Sequence, residues 1–257
     1  MNSVPLAKEG EAPDIETASA EYAARFEGPA GQFLLAAQES AVRALLAPYA
    51  GQTLLEIGGG HGQLLRVYAA LDLKVTLHGS RQSCFDRLSG PEFERVDCLV
   101  GPYFELGLPD RSFDVVVAIR LVMHEREWQR LLKEMCRVAR KAVIIDYAST
   151  RSLNAVGPLL FKVKKKLEGN TRNYLSFSRD QLAQVLDRSG FNVLAEEREL
   201  FLPTVVHRKL GANAMLRSTE KLCRTIGLTG ALGSPVILRA QRVDCGDDGS
   251  QRASSSA

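Results

Sequence analysis

The stretch Thr53-Leu54-Leu55-Glu56-Ile57-Gly58-Gly59-Gly60-His61-Gly62 decides the fold of this chain. An apolar run that contains one acid is followed by glycine at four of the next five positions. Because glycine has no Cβ, a strand can turn sharply into a helix here, and a ligand can lie against bare main chain at the helix N-terminus. The stretch therefore predicts a strand, a ligand-binding turn and a helix.

The spacing of the glycines distinguishes between nucleotide ligands. A dinucleotide fingerprint needs G-x-G-x-x-G, but Gln63 stands where its third glycine would be. The run resembles instead the (D/E)-x-G-x-G-x-G motif of class I S-adenosylmethionine-dependent methyltransferases. That resemblance implies that the loop holds the methionyl half of S-adenosylmethionine and that Glu56 steers its ammonium group. A glycine-rich turn without a ligand is the alternative.

Outside this motif, short apolar runs alternate with segments of helical periodicity. The runs predict strands at residues 53–57, 73–78, 96–101, 113–119, 142–147, 191–200 and 234–240. Helices are predicted at residues 62–70, 82–88, 125–141, 154–167, 179–189 and 207–226, after two helices within 18–49 that break at Gly28-Pro29. This alternation predicts an α/β fold with a doubly wound, mostly parallel sheet. The resemblance implies a Rossmann-like sheet of seven strands that ends in an antiparallel hairpin.

The chain is interpreted as a single domain with polar ends. Residues 1–17 are predicted to form a flexible leader, and residues 244–257, rich in Gly, Ser and Asp, a disordered tail. The domain spans 18–243, with an N-terminal helical cap at 18–49 and a helical insertion at 203–233 before the last strand.

Further motifs extend the resemblance over about residues 50–200. The segment Leu108–Val117 resembles the one that leads into the fourth strand of these enzymes, and Leu121–His124 resembles the family's strand-end L-x-H. Glu134–Val138 resembles the E-x-x-R-V of the next helix, and Tyr174-x-Ser176-Phe177-Ser178 resembles the Y-x-S-F-S before the sixth strand. Several motifs in the right order are stronger than any one of them.

Two departures concern the nucleoside. Gly79 falls where the family has an acid that accepts both ribose hydroxyls, and Pro102 follows Gly101 where a carboxylate usually meets the adenine amino group. Losing both should weaken cofactor binding, since a hydrogen bond to a charged group contributes about 1.5–3 kcal/mol. An acid restored at Gly79 should then tighten binding. A catalytically inactive relative is the other interpretation.

The cofactor site implied by the resemblance draws on the N-terminal helix, the glycine loop and three strand ends. Its predicted residues are Tyr22, Phe26, Glu56, Gly58, Gly59, Gly60, Gly62, Gly79, Ser80, Gly101, Pro102 and Ile119. The two aromatic residues could face the sulfonium by a cation–π contact or simply pack the helix against the sheet.

Two residues are candidates for catalysis. His124 follows the fourth strand, so it is a candidate general base at the carboxyl ends of the strands, or else a helix-capping histidine. Asp146 ends the fifth strand and could orient a base or contact the acceptor. No Asp, His and Glu stand at ligand spacing, so no metal is expected.

Composition limits the partners. The net charge of +3 gives no argument for nucleic acid, and the five cysteines are scattered, which favours a reduced, cytoplasmic chain. No signal peptide or transmembrane segment is read at the N-terminus. The basic run Lys162-x-Lys164-Lys165-Lys166 is interpreted as a solvated helix face, or alternatively as a contact to an anionic acceptor or a peripheral contact to an anionic membrane surface. The oligomeric state is not readable.

The predicted function is methyl transfer from S-adenosylmethionine to an oxygen atom of a small-molecule acceptor or of a glycan- or lipid-linked acceptor. Two alternatives stay open. A non-catalytic methyltransferase-like binding protein is favoured by the missing acids. A nicotinamide-dependent oxidoreductase would share the fold class, but Gln63 and Gly79 disfavour it.

Overall fold

The computed structural model describes residues 12–91, 93–152, 174–211 and 213–243. Its strands are β1 Thr53–Ile57, β2 Lys74–Gly79, β3 Asp97–Val100, β4 Phe113–Ala118, β5 Ala139–Ser149, β6 Ser176–Phe177, β7 Phe191–Arg198 and β8 Val236–Arg242. Its α-helices are α1 Pro13–Thr17, α2 Ala20–Ala24, α3 Gly28–Leu46, α4 Leu65–Ala70, α5 Trp128–Val138, α6 Arg179–Arg188, α7 Thr204–Leu210, α8 Ala214–Thr225 and α9 Leu228–Leu232.

The strands form one twisted sheet in the order β3-β2-β1-β4-β5-β8-β7. The pairs from β3 to β5 are parallel, whereas β8 runs antiparallel to both β5 and β7. The predicted doubly wound fold with a terminal hairpin is therefore confirmed. The two-residue strand β6, which pairs with the end of β5, was not predicted.

Helices cover both faces of the sheet because its central strands are apolar on both sides. Leu55 and Val116 belong to a core cluster that includes residues of α5 and α6. Leu54 and Val115 face the other way, into a cluster that includes residues of α3 and α4. Unbroken apolar runs are what a strand buried on both faces requires.

Several helix boundaries differ from the predictions, for local reasons. The helix predicted over 82–88 is only a 3₁₀ turn, Gln82–Phe85. The helix predicted over 125–141 ends at Val138, because β5 starts at once with extended backbone at Ala139. The single helix predicted over 207–226 is two helices, α7 and α8, since Gly211 has a φ of 73° and Asn213 caps a new helix.

The N-terminal prediction needs a correction. Residues 13–17, predicted to belong to a flexible leader, form α1, whose Pro13, Asp14 and Thr17 are buried. Residues 1–11, the helix predicted at 154–167, the basic run around Lys164 and the tail at 244–257 lie outside the described residues. Within the described ranges, no helix is long and apolar enough to cross a membrane.

Candidate functional site

The glycine loop between β1 and α4 makes the predicted sharp turn. Gly58 and Gly62 have φ angles of 76° and 65°, in the left-handed region that glycine tolerates best. Gly60 lies so close to the backbone carbonyl of Cys84 that a Cβ would overlap it. Contacts within the chain therefore account for part of the glycine requirement, which the motif alone attributes to a ligand.

Glu56 is the unusual residue beneath this loop. It is fully buried, and no lysine or arginine among the described residues forms an ion pair with its carboxylate. Burial raises its pKa to about 8, which the Tyr68 hydroxyl offsets only in part. His61 Nε2 lies 3.7 Å from Oε1, but burial lowers the pKa of His61 to about 4, so this histidine is neutral near pH 7. A buried acid without a cation suits a positively charged ligand group.

Gly79, the strand-end position predicted to face the ribose, has no room for a side chain in this structure. A Cβ on Gly79 would lie 2.9 Å from Cζ of Phe85, so this position faces that ring and not the groove above the sheet. An aspartate at Gly79 is therefore expected to disrupt packing and not to tighten nucleoside binding. The side chain that faces the groove belongs to the next residue, Ser80.

Sequence reasoning missed Asp14, which supplies a carboxylate at this place. Asp14 is fully buried and accepts hydrogen bonds from the Ser80 N–H at 2.7 Å, the Ser80 hydroxyl at 2.6 Å and the Cys84 thiol at 3.3 Å. Because it precedes β1 by almost 40 residues in a polar leader, no spacing rule connects it with β2.

The remaining predicted cofactor residues lie around the ends of β1, β3 and β4. Ile119 is buried in the core beside the end of β4. Gly101 donates its N–H to the Gly79 carbonyl at 3.1 Å, and Pro102 is exposed. Gly59 packs over Leu77 and the Glu56 carboxylate.

A separate cavity of about 150 Å³ opens at the carboxyl ends of β4 and β5. Its walls come from α2, α3, the loop after β4 and the start of the 203–233 stretch. The lining residues that carry polar or aromatic groups are Tyr22, Arg25, Phe26, Arg120, His124, Tyr174, Glu199, Thr204, Arg208 and Ser234. The structure thus brings the predicted Tyr22, Phe26 and His124 together around this cavity, on the other half of the sheet from β2.

A buried ionic cluster forms the floor of this cavity. Arg120 Nε lies 3.5 Å from Asp146 Oδ2, and its Nη2 lies 3.4 Å from Glu199 Oε2. Arg120 adopts a φ of 62°, which a non-glycine residue rarely does, and the Asp146 carboxylate accepts its N–H at 2.6 Å. Asp146 is fully buried and does not line the cavity, so it acts as a positioning residue for Arg120.

One guanidinium faces two carboxylates here, and the acids differ in access to the cavity. Burial raises the pKa of Asp146, an effect opposed by Arg120. Burial also raises the pKa of Glu199 to about 7, even though Arg120 lowers it. Glu199 is only 2% exposed and lines the cavity, and a hydrogen bond with the Gln38 side chain lowers its pKa in part. Sequence reasoning missed Glu199, because it simply ends a polar strand.

A larger cavity of about 300 Å³ lies elsewhere, between residues of α5, Asp110 and Arg242. It is at the amino end of β4, because Asp110 and Arg111 precede that strand. Doubly wound sheets bind ligands at the carboxyl ends of their strands, so the smaller cavity is the better candidate for an acceptor site.

The sheet order and the glycine loop are those of the class I methyltransferase fold. Residues 55–145 match the family model described as a methyltransferase domain, and this match confirms the resemblance read from the motifs. No curated protein sequence matches the chain.

Three solved structures share the fold at low sequence identity. A possible histamine N-methyltransferase from Thermotoga maritima is 19% identical with a TM-score of 0.61, and the match covers 90% of this chain and 99% of that one. Magnesium protoporphyrin IX methyltransferase from Synechocystis PCC 6803, with bound SAH, is 14% identical with a TM-score of 0.57, covering 84% and 89%. The [4+2]-cyclase SpnF is 18% identical with a TM-score of 0.50, covering 78% and 80%. Identities this low establish the fold and leave the reaction to the site.

Proposed function

We propose that this chain is an S-adenosylmethionine-dependent methyltransferase whose acceptor is a small molecule bound in the 150 Å³ cavity. The observation that carries the proposal is Glu56, a buried acid beneath the glycine loop that pairs with no lysine or arginine among the described residues. An ammonium group would supply the missing charge. The methionyl half of the cofactor has such a group, whereas the phosphates of a nicotinamide dinucleotide would meet a carboxylate.

The cofactor supplies an activated methyl group, so the protein has to bind, orient, exclude water and accept a proton. Glu56 and the main chain of Gly58 to Gly62 would hold the methionyl half. The aromatic rings of Tyr22 and Phe26, whose centroids are 5.4 Å apart, form the wall of the cavity that the N-terminal helices contribute. They lie where they would shield an acceptor from water.

Proton transfer falls to the cavity wall, where His124 and Glu199 are the two candidate bases. A base works best when its pKa lies near the working pH, and the pKa of Glu199 is raised to about 7. Because it lines the cavity, its carboxylate can accept a proton from an acceptor hydroxyl bound there.

Calorimetric titration with S-adenosylmethionine, S-adenosylhomocysteine and NAD tests this proposal. We expect both sulfur ligands to bind and NAD not to bind. Binding of NAD alone would support an oxidoreductase. Absence of all binding at millimolar ligand would support a non-catalytic methyltransferase-like protein, which is the second candidate because Asp14 and α1 fill the space between the ends of β1 and β2.

A further inference from the structure

Helix α1 lies across the groove where the nucleoside of a cofactor would be expected. It contacts the glycine loop at Gly59–His61 and the turn at Gln82–Phe85. The Cβ of Asp14 is 3.6 Å from the position that a Cβ on Gly58 would take, which is ordinary van der Waals contact. Asp14 therefore fills the gap between the end of β1 and Ser80, and a ribose cannot occupy the same space.

The carboxylate of Asp14 also accepts hydrogen bonds from the polar groups that line this gap. It accepts the Ser80 N–H, the Ser80 hydroxyl and the Cys84 thiol, at 2.7, 2.6 and 3.3 Å. All three donors belong to the segment after β2, at the carboxyl ends of the parallel strands, where doubly wound folds bind their ligands. Asp14 thus accepts hydrogen bonds from donors that a bound nucleoside would otherwise be expected to contact.

Helix α1 is also hydrogen-bonded to the opposite side of the groove. The Asp14 N–H donates to the Tyr103 hydroxyl at 3.3 Å, and the Tyr103 ring lies 5.9 Å from the ring of His78. Tyr103 follows β3 and is 4% exposed, so α1 bridges the ends of β1, β2 and β3. Thr17, the third buried residue facing inward, donates its hydroxyl to the Asp14 carbonyl at 3.1 Å.

We infer that α1 is an internal competitor of the cofactor, anchored by Asp14 in the nucleoside half of the groove, and that it must leave before S-adenosylmethionine binds. The inference rests on the proposed function, because it names how that same site is regulated. A site that is open for only a fraction of the time binds with an affinity reduced by that fraction. Anything that loosens α1 therefore strengthens cofactor binding.

Titration of S-adenosylhomocysteine into the full-length chain tests this competition. Asp14→Ala removes the anchor and should bind at least about tenfold tighter than the parent chain, the scale expected for losing hydrogen bonds to a charged group. Asp14→Asn keeps the size and should change binding in the same direction by less. Glu21→Gln, an exposed acid on neighbouring α2, is the matched control and should bind like the parent.

Hydrogen exchange gives a second readout on the unaltered protein. Backbone amides of α1 should lose protection when S-adenosylhomocysteine binds, whereas the strands should gain it. If the parent chain binds and Asp14→Ala binds more weakly, Asp14 contacts the ligand and the competition is overturned while the proposed function stands. Equal binding by the two chains, with α1 protected throughout, overturns it as well. Absence of binding by every variant at millimolar ligand overturns both proposals together.

Discussion

At the scale of single residues, the candidate site is defined by acids that the sheet buries without enough cations. Glu56 pairs with no lysine or arginine among the described residues, and Asp146 and Glu199 share one guanidinium. Burying an ionised carboxylate without a partner costs several kcal/mol, so such a group holds its proton until a cation arrives. Proton uptake and release are therefore the measurable signs of ligand binding in this protein.

Binding of S-adenosylhomocysteine should release a proton from Glu56. Its pKa of about 8 in the free protein leaves it mostly protonated at pH 7, and the ligand's ammonium group should lower that pKa. We expect release of about one proton per ligand at pH 7, and affinity that rises with pH from 6 to 8. Calorimetry in buffers of different ionisation enthalpy measures the release. Glu56→Gln should bind more weakly without it, and Glu21→Gln should behave like the parent; release that persists in Glu56→Gln would assign the proton to another group.

The pH dependence of turnover should distinguish the two candidate bases. With the pKa of Glu199 at about 7, the rate should rise with pH through that value, and Glu199→Gln should lose both the rise and about 10²–10⁴-fold in rate. His124→Ala should keep the rise if Glu199 is the base. The measurement is S-adenosylhomocysteine release with an acceptor found by screening hydroxylated small molecules. A rise that disappears only in His124→Ala would return the role to the histidine.

At the scale of elements, sequence patterns predict the strands because their cause is local. The apolar run at the centre of β4 is buried on both faces, as its composition requires, and β1 has the predicted boundaries. Helix ends were less predictable, because they depend on neighbours: β5 begins at Ala139 directly where α5 stops. The left-handed Gly211 broke a helix whose hydrophobic pattern continued through it.

The stretch at 203–233 also depends on one side chain that no periodicity would single out. Glu220 of α8 accepts the N–H groups of Phe201 and Leu202, both at 2.9 Å, and pairs with buried His207 of α7 at 2.9 Å. It therefore ties α7 and α8 to the segment after β7, next to Glu199.

Removing this charge should loosen one wall of the cavity. Glu220→Gln leaves the two N–H groups and His207 with a weaker acceptor, so we expect a loss of about 1–3 kcal/mol in local stability. Limited trypsin digestion should then cut faster after exposed Arg208 and Lys209 than in the parent chain. Thr219→Ala, a change on the same helix without these contacts, is the control. Equal cleavage in Glu220→Gln and the parent would mean that apolar packing alone holds these helices.

At the scale of the whole molecule, the candidate cofactor site and the candidate acceptor cavity lie on different halves of the sheet. The glycine loop and Ser80 lie on the β1 to β3 half, whereas the cavity lies at the ends of β4 and β5. The first half carries a local sequence signal, because its residues cluster around one turn. The cavity does not, since Tyr22, Arg120 and Glu199 come from three distant parts of the chain and meet only in the folded state. Asp14 could not be predicted for the same reason, because it contacts Ser80 and Cys84 only in the folded chain.

The buried acids of both halves should make the stability of the whole chain depend on pH. The pKa values of Glu56 and Glu199 are raised from 4.5 to about 8 and about 7, so the folded chain retains protons that the unfolded chain has released. The free energy of unfolding should therefore fall as the pH rises through this window. His61 and His78, with pKa values lowered to about 4, act in the opposite sense only below about pH 6.5, where their unfolded forms gain protons.

The net decline should thus be visible between about pH 6.5 and 8, and amount to a few kcal/mol, since one pKa unit is worth about 1.4 kcal/mol. Urea unfolding at pH 6.5, 7.25 and 8 measures it. Glu56→Gln should flatten most of the curve and Glu199→Gln its lower part, because glutamine has no proton to release. Saturating S-adenosylhomocysteine should flatten the curve in the parent chain too, since its ammonium group stabilises ionised Glu56 in the folded state. If the free energy of unfolding of the parent chain does not change with pH in the absence of ligand, the pKa values of these acids are not raised by folding. The inference that buried Glu56 binds the ammonium group of the cofactor would then be contradicted.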